Sequence, residues 1–389
     1  MSQERDVAVV LSGGGVNGVL MELGFLQRVR DSEYWPRIGW IYGTSSGALA
    51  GTMAALDRLD ELEEFLLSLQ PDETFRPHRL WQLPLLGLHD YTLPRTIEAR
   101  IGDPVGLAQA LARAEVEVTV LVTDVTGDED PHGLESLELA YSSKRTPPEE
   151  FAQAVLASAA ISALVLPLPV GDRIATDGGW VRNFPLGYAY DQPGVEMILA
   201  FRYVPRYPRM GTEPLAHLRQ RLERFGRVPP IRAFIAELRE AEARAERNEP
   251  AHLVDMITRL MRVTFMRNSV LEERVATETD ASIGELEALR HDVKELARKY
   301  VRAPGKRARL VDAIDARFAA ARFPFRHDRA IPRITVRASV EDIRLDPGVR
   351  THRPWTEEAK RALIRRGYEL ADAELGGVDQ QEPAAAAQS

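Results

Sequence analysis

Cysteine is missing from all 389 residues. That excludes disulfides, thiolate catalysis and cysteine-ligated metal, and it suits a reducing compartment. Lysine is nearly missing too. Lys144, Lys294, Lys299, Lys306 and Lys360 are the only five among 50 basic residues, the rest being arginine, a bias that reads as genomic composition. Positive charge is in deficit, and a formal net charge of -8 excludes a broad nucleic-acid surface. No apolar run approaches the roughly 20 residues that span a bilayer. The opening MSQERDVAVV has neither the basic n-region nor the long apolar h-region of a secretory signal, so the expectation is a cytoplasmic protein.

What is present is an ordinary globular balance, 44% hydrophobic and 28% charged, over a length that accommodates two domains. Short apolar runs ending at glycine or turn residues predict strands over 7–11, 38–42, 116–123, 137–141, 173–176, 197–201 and 333–337. Helical spacing follows several of them: Val19, Leu20, Leu23, Leu26 and Val29 after the first, 48–56 after the second, and 148–158 opening on proline and two glutamates. Residues 57–112 read as mainly helical, interrupted by a Pro/Trp/Leu stretch from 77 to 94. Strands alternating with helices imply a mostly parallel sheet covered on both faces. The pattern changes near 213: amphipathic helices alone fill the chain from there to about 322. A last strand is followed by a helix over 357–375, N-capped by Thr356 and stopped by Gly376-Gly377. The boundaries read from this are a catalytic α/β core over 6–204, a helical insertion or cap over 205–330, a strand and helix returning to the core over 331–375, and a disordered tail over 376–389.

Two glycine loops carry the chemistry. In VVLSGGGVNGVLMELGFL, Gly13, Gly15 and Gly18 satisfy the dinucleotide-binding fingerprint. That fingerprint needs an acidic residue at the end of the second strand. Here the second strand ends instead in Gly43-Thr44-Ser45-Ser46-Gly47, a G-x-S-x-G between strand and helix, the setting of a nucleophile elbow. Gly43 and Gly47 permit the tight turn, and Ser45 is left exposed at a helix N-terminus. An attacked ester becomes an oxyanion that needs backbone donors, a part that Gly13, Gly14 and Gly15 can play.

A serine nucleophile needs a base. None of the eight histidines follows a strand in a glycine-rich setting, and His89-Asp90 is the most suggestive pair among them. DRIATDGGWVRNFPL offers Asp177 at a strand end, before Gly178-Gly179. Alone, Asp-Gly is an ordinary turn.

Together, GGGVNG, GTSSG and DGGWVRNFP, in this order and each after a strand, resemble the patatin-like phospholipases, a family of lipid acyl hydrolases. ASAAISALVLPLPV at 157–170 is similar to the stretch preceding that family's aspartate, and GYELADAEL at 367–375 to its closing helix. The resemblance spans 6–204. It implies a three-layer α/β/α sandwich, a Ser45–Asp177 dyad without catalytic histidine, an oxyanion loop at Gly13–Gly15, and an Asn183-x-Pro185 that shapes the loop behind the aspartate. Asn17 stands where the family usually has Arg or Lys, which removes a cation near the oxyanion, and Ser162 where it usually has proline. The activity implied is cleavage of lipid esters, phospholipase A or lysophospholipase-like, with no cofactor, metal or nucleic-acid partner.

RLWQLPLLGLHDY at 79–91 presents Trp81, Leu83, Leu85, Leu86, Leu88 and Tyr91 between prolines. It fits a peripheral membrane contact, or a loop packed on the core. MITRLMRVTFMR at 256–267 fits an amphipathic cap. Two rivals stand: a His-dependent α/β-hydrolase using His217, His252, His291, His327 or His352, and a catalytically silent lipid or nucleotide binder that uses the glycine loop alone.

Overall fold

The computed structural model describes residues 5–78, 89–127, 137–162, 164–204, 213–247, 253–323, 325–339 and 355–379. Its centre is β1 (Val7–Leu11), buried at every residue. Val7, Val9 and Leu11 face one helical layer and Ala8 and Val10 the other, as the period-2 alternation of a strand requires. Beside β1 lie β2 (Ile38–Thr44) and β9 (Met197–Val204), both parallel to it, and β10 (Arg333–Ser339) extends the parallel set beyond β9. On the other side β2 pairs in parallel with β5 (Glu117–Asp124). The sheet then changes character. β6 (Glu138–Ser142) and β8 (Arg173–Asp177) both run antiparallel to β5, and β7 (Leu168–Val170) runs antiparallel to β8.

On the first face lie α1 (Gly15–Arg30), α2 (Ser46–Ala55), α3 (Leu59–Ser68), α4 (Leu93–Arg100), α5 (Pro104–Arg113), α6 (Pro148–Ser158) and α13 (Glu357–Asp379), with a shared core that includes Phe25, Met53, Leu62, Phe151 and Leu363. Phe25 and Phe201 pack with ring centroids 5.4 Å apart. α1 and α13 cross where Gly24 meets the Ile364 carbonyl and Gly367 meets the Met21 carbonyl. The second face carries the short α7 (Gly179–Arg182) and α8 (Leu186–Asp191) and the long α11 (Leu253–Tyr300). These are the three layers that the sequence leads one to expect, with helices following from 213 onward: α9 (Glu213–Glu223), α10 (Pro229–Glu246), α11 and α12 (Pro304–Ala320). None of the described helices is long and apolar enough to cross a membrane.

Two details differ from the sequence reading. Gly376-Gly377 does not stop the last helix, which continues to Asp379. A glycine costs a helix only about 1 kcal/mol relative to alanine, and Gly376 has open space around it. The interruption read over 77–94 is framed by a two-stranded hairpin, β3 (Phe75–Pro77) with β4 (His89–Tyr91). Trp81, Leu83, Leu85, Leu86 and Leu88 of the proposed membrane contact lie outside the described residues, as does the tail from 380.

Candidate functional site

Register brings Ser45 and Asp177 together. β2 ends with Thr44 opposite Leu121 of β5, and β8 ends with Asp177 opposite the next residue, Val122. β6 occupies the other edge of β5 over both positions, so β2 and β8 share one edge and meet there head-on. Ser45 follows the first strand end directly. An all-parallel sheet could not do this: only an antiparallel β8 can point its C-terminal residue at the C-terminal end of β2.

Ser45 adopts φ 54° and ψ -117°, a strained conformation for a residue with a Cβ. Its surroundings enforce it. Gly47 packs against the Leu11 carbonyl, and Gly43 against the backbone of Gly47 and Ala48. The Ser45 N–H donates to Ser158 Oγ at 2.8 Å, and Ser158 Oγ donates to the Leu121 carbonyl at 2.6 Å. Ser158 therefore ties the strained turn to the β5 position where β2 ends. It lies in the Ala/Ser stretch quoted above, but nothing in the local sequence singles it out.

Asp177 has no exposed surface. Oδ1 accepts the Gly179 N–H at 2.7 Å, while Oδ2 is buried with no hydrogen-bond partner among the described residues. Burial pushes the carboxyl up to about 7; the nearby Ser45 side chain and the Gly179 N–H pull it down by less. The Ser45 hydroxyl is thus near the carboxyl without a well-aligned hydrogen bond to Oδ2, a looseness common before substrate arrives. The backbone around Asp177 is fixed by Asp177 N–H to the Ala160 carbonyl, 3.0 Å, and Thr123 Oγ1 to the Asp177 carbonyl, 2.9 Å. Gly178 packs on the Leu121 carbonyl, and a Cβ on Gly179 would fall 2.9 Å from Asp177 Oδ1.

The first glycine loop adjoins this pair: a Cβ on Gly13 would come within 3.1 Å of Ser45 Cβ. Gly13 itself has little to give a substrate, because its N–H already donates to the Asn183 carbonyl at 3.0 Å. Gly14 and Gly15 open α1, whose N-terminus has no side-chain cap. The first amides of such a helix are unclaimed within it and carry its positive dipole end. Gly15 sits at φ 60°, where a side chain would be strained. Asn17 is buried in the first turn. Behind the loop, Tyr203 N–H donates to Ser12 Oγ at 2.8 Å and its ring covers Gly14. Ser162, read as a turn variation, forms an isolated bridge with Val165 and bonds Thr176 Oγ1 at 2.5 Å.

Among the described residues no histidine bonds to Ser45 or Asp177. His327 pairs with Asp280 at 2.9 Å and stacks on Tyr190, while His89 is buried in the hairpin beside Phe75. His252 and His352 lie outside the described residues.

Residues 9–190, which hold both glycine loops, Ser45 and Asp177, match the family model of the patatin-like phospholipases. Over that stretch the chain is similar to the patatin-like phospholipases. Uncharacterized NTE family proteins of Mycobacterium tuberculosis and Mycobacterium bovis are 28% identical to the chain over 198 residues, 48% of this chain and 46% of theirs. The chain thus spans about half the length of the curated relatives it matches. Among solved structures, VipD from Legionella pneumophila aligns over 96% of this chain and 67% of its own at 14% identity and a TM-score of 0.38. Human GIVD cytosolic phospholipase A2 aligns over 51% of this chain and 42% of its own at 12% identity and a TM-score of 0.32. The patatin-like domain accounts for β1 through α8. It does not include α9–α13 or β9 and β10.

Proposed function

We propose that the patatin-like domain is a serine acyl hydrolase of lipid esters, phospholipase A or lysophospholipase-like, working through Ser45 and Asp177. The observation that carries this is the pairing of a strained serine with a fully buried carboxyl whose Oδ2 is unpartnered and whose pKa stands near 7. A base poised near the operating pH combines adequate ionisation with adequate proton affinity.

In this scheme Ser45 Oγ bonds to the substrate carbonyl carbon as its proton passes to Asp177 Oδ2. The carbonyl oxygen becomes an oxyanion facing the Gly14 and Gly15 amides, with Gly13 anchoring the loop through Asn183. Collapse breaks the ester C–O bond, and the departing alkoxide takes the proton from Asp177. Water then attacks the acyl-serine and gives a proton to Asp177. Collapse of this second intermediate frees the fatty acid and returns the proton to Ser45. A dinucleotide reading of the first loop has no acidic partner, since β2 ends in Gly43 and Thr44. The histidine-dependent alternative is disfavoured by the absence of a described histidine at Asp177.

The test uses a fluorophosphonate probe beside release of fatty acid from a phospholipid or lysophospholipid. Wild type is labelled on Ser45 and hydrolyses the lipid, and Ser45→Ala does neither. A folded Ser45→Ala protein that still releases fatty acid sinks the proposal. So does a folded single-histidine variant that is inactive beside a fully active Asp177→Asn.

A further inference from the structure

α11 spans 48 residues and lies wholly beyond the matched domain. One of its faces nevertheless grips the segment that follows Asp177. Phe265 packs edge-on against Trp180, with ring centroids 5.2 Å apart, and stands beside Gly179. Asn268 Nδ2 donates to the carbonyls of Gly179, at 3.2 Å, and Trp180, at 3.0 Å. Ser269 Oγ accepts Asn183 Nδ2 at 2.8 Å. Glu272 pairs with Arg182 at 2.5 Å. Residues 265, 268, 269 and 272 follow helical spacing, so a single stripe of α11 makes all of these contacts.

The contacts answer a need of α7. A helix of four residues cannot satisfy its own carbonyls, and Asn268 satisfies two of them. Gly179 is also the residue whose N–H holds Asp177 Oδ1. Asn268 thus fixes the carbonyl side of the residue whose amide orients the base. Ser269 reaches the other loop, because Asn183 Nδ2 also lies 3.3 Å from the Gly13 carbonyl.

We propose that α11 is the positioning element of the catalytic loops. Asn268 and Ser269 hold α7 and Asn183 so that the Gly179 amide stays on Asp177 and Asp177 stays aimed at Ser45. This rests on the acyl-hydrolase reading above, and it gives the helical region beyond the matched domain a part in the reaction. Asn268 and Ser269 are positioning residues, since they touch neither substrate nor the reacting atoms.

The readout is the pH profile. Loosening the Gly179 amide removes a bond that favours the ionised carboxylate, so the acid limb moves upward. Burial pushes Asp177 up to about 7, and it also raises Glu272 of α11 and Glu22 of α1, whose Oε1 accepts Ser46 Oγ at 3.3 Å beside Ser45. Arg182 of α7 lies between Glu138 of β6 and Glu272 of α11, and burial keeps Tyr91 of β4 protonated.

The experiment compares Asn268→Ala, Asn268→Gln, Ser269→Ala, Ser269→Thr and the solvent-face control Arg274→Ala on a short soluble ester, with fluorophosphonate labelling of Ser45 followed across pH. Expected for Asn268→Ala is a kcat lower by about ten- to a hundred-fold at unchanged KM. Its acid limb should rise by up to about one pH unit. Asn268→Gln and Ser269→Thr recover part of the loss, and Arg274→Ala behaves as wild type. If Asn268→Ala does not fold, Ser269→Ala carries the same readout. A folded Asn268→Ala and Ser269→Ala with the wild-type kcat and acid limb overturn the proposal, as does a loss that Arg274→Ala shares. If Ser45→Ala is inactive while these variants are unaffected, this inference alone fails. If Ser45→Ala is active, the acyl-hydrolase reading fails with it.

Discussion

Asn183 grips Gly13 twice, accepting the Gly13 N–H on its backbone carbonyl at 3.0 Å and donating from Nδ2 to the Gly13 carbonyl at 3.3 Å. The loop after β1 and the loop after β8 are therefore one braced unit, with Ser45 between them. Substitutions in either loop should be felt in both.

Asp177 gives the sharpest pH expectation. In the proposed reaction its carboxyl must be ionised to accept the serine proton, so turnover should fall on the acid side of about 7. The stability effect has the opposite sense. The folded pKa stands above the unfolded value of 3.8, so the native state holds the proton more tightly between the two. The stability this group contributes is present below the unfolded pKa and is lost as pH rises through the folded one. Asp177→Asn should therefore cost about 10⁴-fold in turnover. It should also melt at a higher temperature than wild type at pH 8 and close to wild type at pH 4, in paired thermal scans. An upper bound on the gain is on the order of 4 kcal/mol. Equal melting temperatures at pH 8 would count against a neutral-range Asp177.

Gly14→Ala tests the oxyanion loop. The added methyl would sit 2.7 Å from both the Gly18 Cα and the Tyr203 ring. The ring can swing away but the helix backbone cannot, so the Gly14 amide has to move. Turnover should drop roughly 10²- to 10³-fold, with fluorophosphonate labelling slowed in parallel. A folded variant that keeps its rate would remove Gly14 from the donor set.

Ser158→Ala leaves the Ser45 N–H and the Leu121 carbonyl without the hydroxyl that joins them. An unmatched buried pair of this kind costs about 1–3 kcal/mol, read as a lower midpoint in urea. Because one of the two groups belongs to the proposed nucleophile, turnover should fall as well, and Ser158→Thr should restore part of both. Loss of stability with undiminished turnover would make the bond structural only.

Lys360 is one of the chain's few lysines. It is buried, and Nζ donates to the carbonyls of Leu67, at 2.8 Å, and Leu69, where α3 ends. Lys360→Met keeps the apolar stem and removes the donor. It should cost about 2 kcal/mol through the orphaned carbonyls, with any esterase kinetics of the remaining folded protein unchanged.

The strands were legible because each apolar run stops at a glycine or a turn residue, and the elbow because G-x-S-x-G sits between strand and helix. Asp177 was legible only in company: an Asp-Gly pair means a turn until two other loops stand in the right order. The antiparallel direction of β8 was not legible, since it depends on which edge of β5 remains free once β2 has ended at Thr44. Neither was the engagement of the Gly13 amide, which is set by Asn183, 170 residues away. Asn268 and Ser269 carry no local signature. Helical spacing marks their face as buried without naming what it meets.

The crossing of α1 and α13 also bears on how the chain comes into being. Gly24 and the Ile364 carbonyl, in contact in the folded protein, lie far apart along the chain. At about 5–20 residues per second, tens of seconds separate their emergence from the ribosome. From the time β9 has been made until β10 follows, β1, the Ser45 turn and the Asp177 loop exist as chain, while the α1 surface around Met21 and Gly24 has nothing to pack against and β9 lacks β10 along its outer edge. Contacts so distant in sequence form slowly. The nascent chain thus passes through a long stage in which an apolar helix face and an open strand edge stand bare together, and that stage, rather than the finished fold, is where aggregation or chaperone capture has its opening.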